Sequence, residues 1–290
     1  MLKIFSDFKT KEDFNFLYDK FKDKPITIFN DYFPRNYKEL NINPYNILII
    51  HEPNEFFGFH DLAIKHSDMF SAILTWSEHI LEKCSNAVWF DHGARNEDNE
   101  WVDTFKDITT KEFEVSFLSG AKNISEGHKF RQEIYKLEDK IVIPKKWFYV
   151  LEDFNWDDYK KGGIGRSTSP TSATFNNIPK RICYNNSMFN IAVENTKHNN
   201  WYTEKIGDAL ASKTVPIYWG CPNIGEHFDE RGIITFNTKE ELVDIVNSLT
   251  PEVYESMKPY IETNYQLAKE SYFPYTLDKI LTQIVELNNI

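Results

Sequence analysis

The stretch from Phe189 to Gly225 constrains the fold of this chain more than any other part of the sequence. It holds two apolar runs, FNIAV and VPIYW, which are separated by a polar turn and a short helical segment. Short apolar runs on either side of a helix predict parallel strands that are buried on both faces. Polar residues follow these strands directly, and open α/β sheets bind ligands at the carboxyl ends of their strands.

The same alternation of apolar runs and helical segments extends along the rest of the chain. Strands are predicted at ITIF, NILII, AILT and AVWF in the first third, and at EVSFL and GIITF further on. Helices are predicted from about Ser125 to Leu137, after a capping box at Thr238, and from Pro251 onward except at Pro259 and Pro274. The sequence therefore predicts two doubly wound α/β domains.

A charge-dense segment after Phe90, DHGARNEDNEWVDTFKD, interrupts this alternation. We interpret it as the crossing between the domains and place the boundary near Asp107. The predicted domains are residues 1–107 and residues 108–290, and the last helices can pack back on the N-terminal domain. A second interruption, GGIGRSTSPTSATFNN, is rich in small polar residues and predicts a loop or lid.

Charge and cysteine content exclude several classes of protein. The net charge is −11, from 44 acidic and 33 basic side chains, which disfavours binding to nucleic acid. No apolar run is long enough to span a membrane, and the charged N-terminus does not resemble a signal peptide. The three cysteines lack CxxC spacing and the eight histidines lack metal-ligand spacing. We therefore expect free thiols, no metal site and a cytoplasmic location.

The segment after NILII carries two acids, Glu52 and Glu55, which are followed by phenylalanines. A carboxylate at the end of a strand and beside apolar rings can be partly desolvated, which raises its pKa toward a value useful for a general base. The alternative is a solvated loop acid or a helix cap.

Arg131 lies in the helix that follows EVSFL and a glycine-containing loop. A helix N-terminus with an arginine nearby suits an anion, because backbone N–H groups and a guanidinium fork both donate to phosphate oxygens. The alternative is an exposed arginine that pairs with Glu126 or Glu133 of its own helix.

Glu194 and Asn195 follow FNIAV directly and could bind sugar or ribose hydroxyls. The alternative is a turn acid followed by an asparagine in the left-handed region. Trp201 and Lys205 are expected to open the next helix and to share one face of it, four residues apart. A lysine in the first turn opposes the helix dipole, so its position favours a bound phosphate.

These residues resemble the family 10 glycosyltransferases, the α1,3/α1,4-fucosyltransferases. The resemblance rests on AVEN, WYTEK, IGDALASKT and VPIYWG, which occur in the order and at the spacing of the family's donor-binding motif. HEPNE and SFLSGAKN, the latter followed by Arg131, add a looser similarity. Family members usually carry tyrosine where Trp201 stands, and Tyr202 is the neighbouring candidate to replace it.

The resemblance implies a GT-B fold with an N-terminal acceptor domain and a C-terminal domain that binds GDP-fucose. It implies fucose transfer with inversion, without a metal or another cofactor, from GDP-fucose to a hydroxyl of a glycan. Arg131 and Lys205 would then bind the diphosphate, Glu204 would contact ribose or fucose hydroxyls, and Glu194 and Asn195 would line the donor pocket together with Trp201 or Tyr202.

By the same resemblance Glu52 would be the base that deprotonates the acceptor. Glu55 is the competing candidate for the base, and Glu55 and His51 are also candidates for a second acid or for contacts with the acceptor. Two alternatives remain open: the same fold with another nucleotide sugar, such as a GDP-hexose or a UDP-sugar, and a sugar- or nucleotide-binding module without turnover.

Overall fold

The structure is a computed structural model that describes residues 1–6, 14–90, 110–120, 122–150, 184 and 186–290. The chain divides into two compact units: unit 1 comprises Met1–His92 and Phe273–Ile290, and unit 2 comprises Gly93–Tyr272. The boundary predicted near Asp107 falls among residues 91–109, and the loop predicted at residues 162–177 falls among residues 151–183. Both segments lie outside the described ranges.

Unit 1 contains a five-stranded sheet in the order β1-β2-β3-β4-β5, and all of its described pairings are parallel. The strands are β1 (Lys3–Ser6), β2 (Ile26–Asn30), β3 (Tyr45–Ile50), β4 (Ala72–Thr75) and β5 (Ala87–Trp89). The helices are α1 (Asn15–Phe21), α2 (Tyr37–Leu40), α3 (Asn54–Phe57), α4 (Phe59–Lys65), α5 (Glu78–Lys83) and the C-terminal α10 (Phe273–Asn288).

The strands of unit 1 are covered on both faces, which explains why they read as continuous apolar runs. Every residue of β2 and of β4 is buried. One face packs against Leu17 of α1 and Leu277 of α10, and the other packs against Ala63 of α4 and Ile80 of α5. The strands β2 to β5 were predicted correctly. Strand β1 was not, because it is a four-residue edge strand without a continuous apolar run.

Unit 2 contains a second five-stranded parallel sheet in the order β10-β9-β8-β6-β7, with β8 at its centre. The strands are β6 (Glu112–Gly120), β7 (Lys145–Val150), β8 (Ser187–Val193), β9 (Val215–Trp219) and β10 (Ile234–Thr235). The helices are α6 (Glu126–Tyr135), α7 (Glu204–Ala211), α8 (Lys239–Ser248) and α9 (Pro251–Glu270).

Three details of unit 2 differ from the sequence prediction. Strand β7 was missed, since it is an edge strand that begins with two lysines. Strand β10 is only two residues long, within the five predicted for GIITF. Helix α9 continues through Pro259, which lies on its exposed side, so the carbonyl that loses its helical hydrogen bond can be solvated instead.

Cys84 and Cys221 are buried free thiols, as expected, and Cys183 lies outside the described residues. Among the helices that the structure describes, none combines the length and the apolar composition that crossing a membrane requires.

Candidate active site

The carboxyl end of the central strand β8 carries a fully buried acid, Glu194, with a relative exposure of 0%. One carboxylate oxygen accepts a hydrogen bond from the backbone N–H of Thr203 at 2.8 Å, and the other accepts from the Thr203 hydroxyl at 2.6 Å. The ammonium of Lys205 lies 3.5 Å from the second oxygen. Glu194 is therefore a buried anchor for the start of α7 and not a solvent-exposed acid.

Helix α7 begins later than predicted, with Thr203 as its N-cap. The Thr203 hydroxyl accepts a hydrogen bond from the backbone N–H of Lys205 at 3.3 Å, which satisfies one of the free donors of the first turn. Trp201 and Tyr202 precede the helix, so the expectation that Trp201 and Lys205 share a helical face is wrong. The Thr203 cap and its hydrogen bonds to Glu194 fix the residue at which the helix begins. The spacing of aromatic and basic residues in the sequence does not show where that residue is.

Lys205 is nevertheless in the first turn of α7, where the sequence analysis placed it. Its ammonium lies 3.0 Å from the Thr203 hydroxyl and 3.4 Å from the carboxylate of Glu204, in addition to its pairing with Glu194. Its side chain keeps a relative exposure of 22%. Two carboxylates thus offset the unfavourable position of this cation in the helix dipole, and the ammonium remains within reach of solvent.

Arg131 of α6 is bound to the same turn from the other side. Its Nη1 donates to the carbonyl oxygens of Val193 and Glu194 at 2.6 Å and 3.2 Å, and its Nη2 donates to the side chain of Asn195 at 2.8 Å. Burial lowers the pKa of Arg131 to about 10, partly opposed by Glu194 and Glu204, so the guanidinium stays charged at neutral pH.

The alternative reading of Arg131 as an exposed helix arginine is wrong. Its relative exposure is 7%, and Glu133 pairs instead with Lys239 at 3.1 Å. Its Nε–H and one Nη2–H have no hydrogen-bond partner among the described residues. Arg131 therefore combines a structural function at the end of β8 with two donors that remain available.

Two glycines make this turn possible: Gly127, and Gly220 at the end of the VPIYWG motif. A Cβ on Gly127 would lie 1.8 Å from the carbonyl oxygen of Glu194, and a Cβ on Gly220 would lie 2.5 Å from the Glu194 Cγ. The backbone N–H of Gly127 donates to the carbonyl of Asn195 at 2.9 Å. The first turn of α6 and the end of β9 thus approach Glu194 so closely that any larger residue would collide.

Asn195 contributes its side-chain oxygen to Arg131 and is half-buried. The residue in the left-handed region is not Asn195 but Asn200, whose φ is 63°. Asn200 is held by Asn223, whose side-chain oxygen accepts from the Asn200 N–H and whose amide donates to the Asn200 side chain, both at 2.7 Å. This reciprocal pair fixes the loop that leads into α7.

The two aromatic candidates are both buried in the structure. Trp201 has a relative exposure of 0%, and its ring lies 6.4 Å from that of His198. Tyr202 has a relative exposure of 2% and packs against His227 and Phe228, at ring distances of 5.0 Å and 5.2 Å. The ring of Tyr202 belongs to the apolar cluster between α7 and the segment after β9. Their assignment to the donor pocket stays a prediction.

In unit 1, Glu52 follows the carboxyl end of β3 and is half-buried. The carboxylate of Asp31 accepts hydrogen bonds from the backbone N–H groups of His51 and Glu52, at 2.7 Å and 3.2 Å. The ring of His60 lies 3.0 Å from the carbonyl oxygen of Glu52, and the Trp76 indole donates to that of His51 at 2.7 Å. Three neighbouring elements therefore fix the backbone that carries Glu52.

The other two candidates of this segment differ in exposure. Glu55 is exposed in the first turn of α3, whereas His51 is buried at 1% relative exposure with its Nε2 at 2.9 Å from the side-chain oxygen of Asn30. His51 therefore supports the packing of unit 1 at the end of β3, where its ring contacts those of Phe90 and Phe273. In the parts of the chain that the structure describes, no group of three or more acids, histidines or cysteines could hold a metal ion.

Comparisons with known proteins find similarity in the part of unit 2 that contains Glu194 and Lys205. Residues 164–267 match the family described as glycosyltransferase family 10 (fucosyltransferase), C-terminal domain. An α-(1,3)-fucosyltransferase of Helicobacter pylori is 38% identical over 64 residues. That segment is 21% of this chain and 13% of the relative, so the chain matches only a small part of the relative's length.

Solved structures are similar in fold over more than nine-tenths of the chain. A crystal structure of an α1,3-fucosyltransferase superimposes with a TM-score of 0.54 at 15% identity, covering 93% of this chain and 89% of that one. The same kind of enzyme has also been solved with GDP-fucose. An α,α-trehalose-phosphate synthase (UDP-forming) from Burkholderia vietnamiensis superimposes with a TM-score of 0.59 at 9% identity, covering 91% and 72%. The predicted fold class, two parallel α/β domains of the GT-B type, is confirmed.

Proposed function

We propose that this chain, which carries the C-terminal domain of the family 10 glycosyltransferases, transfers L-fucose from GDP-fucose to a hydroxyl of a glycan. The proposal rests on one observation: the side chains of Arg131 and Lys205 are held by the same short segment. Both cations are fixed to one turn, Val193–Asn195, at the carboxyl edge of the sheet in the matched domain. This is the edge where open α/β sheets bind nucleotides.

For the donor, the diphosphate is assigned to Arg131 and Lys205. Lys205 is partly exposed, and Arg131 retains two N–H donors, so each can bind a phosphate oxygen without releasing Glu194. Glu204, with 26% side-chain exposure, is assigned to ribose or fucose hydroxyls. Asn195 and the aromatic pair are assigned to the donor pocket. GDP-fucose is the donor bound in one structure of similar fold, which supports this choice of nucleotide sugar.

For the reaction, we propose a single displacement with inversion at the anomeric carbon. Glu52 accepts the proton of the acceptor hydroxyl while the hydroxyl oxygen forms its bond to the sugar and the bond to the diphosphate breaks. Negative charge then grows on the departing diphosphate, where Arg131 and Lys205 stabilise it in place of a metal ion. Fixed donors of this kind typically supply about 3 kcal/mol each to a transition state. We place the reaction in the cytoplasm.

The test is a donor panel with detection of the released nucleotide, using GDP-fucose, GDP-mannose and UDP-glucose with a set of glycan acceptors. We expect turnover with GDP-fucose, and NMR of the first product should show the inverted anomeric configuration. Addition of a metal chelator should leave the rate unchanged. Turnover with only a UDP-sugar would replace the proposed donor, and binding of GDP without transfer would indicate a binding module.

Variants distinguish the proposed binding of the donor by Lys205 from the proposed function of Glu52 as the base. Lys205→Gln removes the charge but keeps an amide that can donate to Glu194, and should lower kcat/KM for the donor by about 100-fold. Lys239→Gln is its control, because Lys239 also pairs with a carboxylate, on the exposed surface of the same unit. Glu52→Gln should abolish transfer and leave GDP affinity intact, whereas Glu55→Gln should retain transfer. The assignment of Glu52 as the base fails if Glu52→Gln is active.

A further inference from the structure

His128 occupies the third position of α6, in the turn that packs on the end of β8. The neighbouring Gly127 donates to the carbonyl of Asn195 at 2.9 Å, and Arg131, one turn later, donates to the carbonyls of Val193 and Glu194. His128 itself is buried, with a relative exposure of 6%. It therefore lies at the same edge of the sheet as the cations assigned to the diphosphate.

The hydrogen bonds of His128 determine which ring nitrogen carries the proton. The backbone N–H of Ser125 lies 3.3 Å from the Nδ1 of His128, and the Ser125 hydroxyl lies 2.5 Å from the same atom. A backbone N–H can only donate, so Nδ1 must be the acceptor. In the neutral ring the proton is then on Nε2, and His128 presents an Nε2–H donor.

This donor has no hydrogen-bond partner in the part of the chain that the structure describes, although the side chain is more than nine-tenths buried. The Nε2 atom is not fully enclosed by the protein, so its N–H is open to a ligand at this edge of the sheet. The groups around it are cationic: burial, together with the charges of Arg131, Lys205 and Lys122, lowers the pKa of His128 to about 3.

We propose that His128 binds the diphosphate of the nucleotide donor, with its Nε2–H donating to a phosphate oxygen beside Arg131 and Lys205. This inference rests on the proposed function and adds a residue to the donor site. A ring that stays neutral is suited to this position. It supplies a hydrogen bond to an anion without adding a fourth positive charge to a cluster that already holds Arg131, Lys205 and Lys122.

Two substitutions separate this binding function from the capping function of the same ring. In His128→Asn the amide oxygen can take the place of Nδ1 and accept from Ser125, but the distal N–H is lost. In His128→Gln the amide nitrogen reaches the place of Nε2, and glutamine at this third helical position is a common capping residue. Both variants should fold, which thermal unfolding followed by circular dichroism would verify.

The measurement is calorimetric affinity for GDP and for guanosine, which lacks the phosphates. We expect His128→Asn to weaken GDP binding by about tenfold, the usual effect of losing a hydrogen bond to a charged group, and His128→Gln to weaken it by less than about threefold. Guanosine should bind the wild-type protein and both variants equally.

Each other outcome has a definite meaning. If the wild-type protein binds GDP and His128→Asn binds it equally well, the histidine is a helix cap only and this inference is overturned, while the proposed function stands. If guanosine affinity falls as much as GDP affinity, the substitution has disturbed the site as a whole, and the assignment to the diphosphate is also overturned. Absence of GDP binding in the wild-type protein would refute both proposals.

Discussion

The substitution Glu194→Gln replaces the buried carboxylate with its amide and so changes the hydrogen bonds that hold the start of α7. Each carboxylate oxygen now accepts from Thr203, at 2.8 Å and 2.6 Å. In glutamine one of these oxygens becomes an NH2 group. Facing the Thr203 N–H, this group would place a donor against a donor. Facing the Thr203 hydroxyl, it would need that oxygen to accept, although the oxygen already accepts from the backbone N–H and the ammonium of Lys205. Because the site is fully buried, the lost hydrogen bond cannot be replaced by water at the same position.

The magnitude follows from these contacts. The mismatched hydrogen bond costs about 1–3 kcal/mol, and the weaker neutral acceptor on the other side costs about 1 kcal/mol more. The lost pairing with Lys205 adds little, since that ammonium lies 3.5 Å away and is 22% exposed, where ion pairs contribute less than about 1 kcal/mol. We therefore expect a loss of about 2–4 kcal/mol in the free energy of unfolding.

The local assay is hydrogen exchange by mass spectrometry on peptides that span Thr203 and Lys205, with urea unfolding as the global measure. A local loss of about 2 kcal/mol should speed exchange by about 30-fold. Glu204→Gln is the matched control. It removes the same charge 3.4 Å from the same lysine, but from a side chain with 26% exposure, and should cost less than about 1 kcal/mol. Equal effects of the two variants would refute the view that Glu194 anchors α7.

Two further predictions concern the packing of unit 2. Gly127→Ala would place a Cβ 1.8 Å from a backbone oxygen and should cost about 3 kcal/mol in urea unfolding, whereas Gly120→Ala, with nothing within 4 Å, should cost far less. Burial lowers the pKa of Lys111 from 10.5 to about 7, so between these values the unfolded state binds more protons than the folded state and stability should rise with pH. Lys111→Met should remove that rise relative to the wild-type protein, and an identical pH dependence in both would contradict the burial argument.

The fold could be predicted from the sequence because buried strands appear in it as short apolar runs. Parallel strands that are covered on both faces are apolar at most positions, so runs such as NILII and VPIYW can be recognised as strands without knowledge of their neighbours. The elements that were missed lack this property: β1 and β7 are edge strands, where partial exposure permits polar residues. The sequence predicted a helix break at Pro259, which the structure does not show. A proline is tolerated where the carbonyl that loses its hydrogen bond faces water, and the sequence does not show which way that carbonyl faces.

The sequence also identified most of the residues that meet at the candidate site, because open α/β sheets bind ligands at the carboxyl ends of their strands and polar residues there can be read from the sequence. Glu194, Asn195, Arg131 and Lys205 were selected in this way, and the structure joins them by hydrogen bonds and an ion pair around one turn. The sequence did not mark Gly127 or His128. Their importance comes from what approaches them in space, and a glycine or a histidine in a helix has no periodic pattern that would mark it.

The amino-acid sequence by itself thus determined the two α/β units, the order of most of their elements and the edge at which polar residues gather. These follow from apolar periodicity and capping, which act between residues close in the chain. Only the tertiary structure decided that Glu194 is buried, that Arg131 clamps the turn behind it and that His128 is left with a free donor among the described residues. Burial and hydrogen-bond partners depend on contacts between segments that lie some 60 residues apart in the chain, such as Arg131 and Val193.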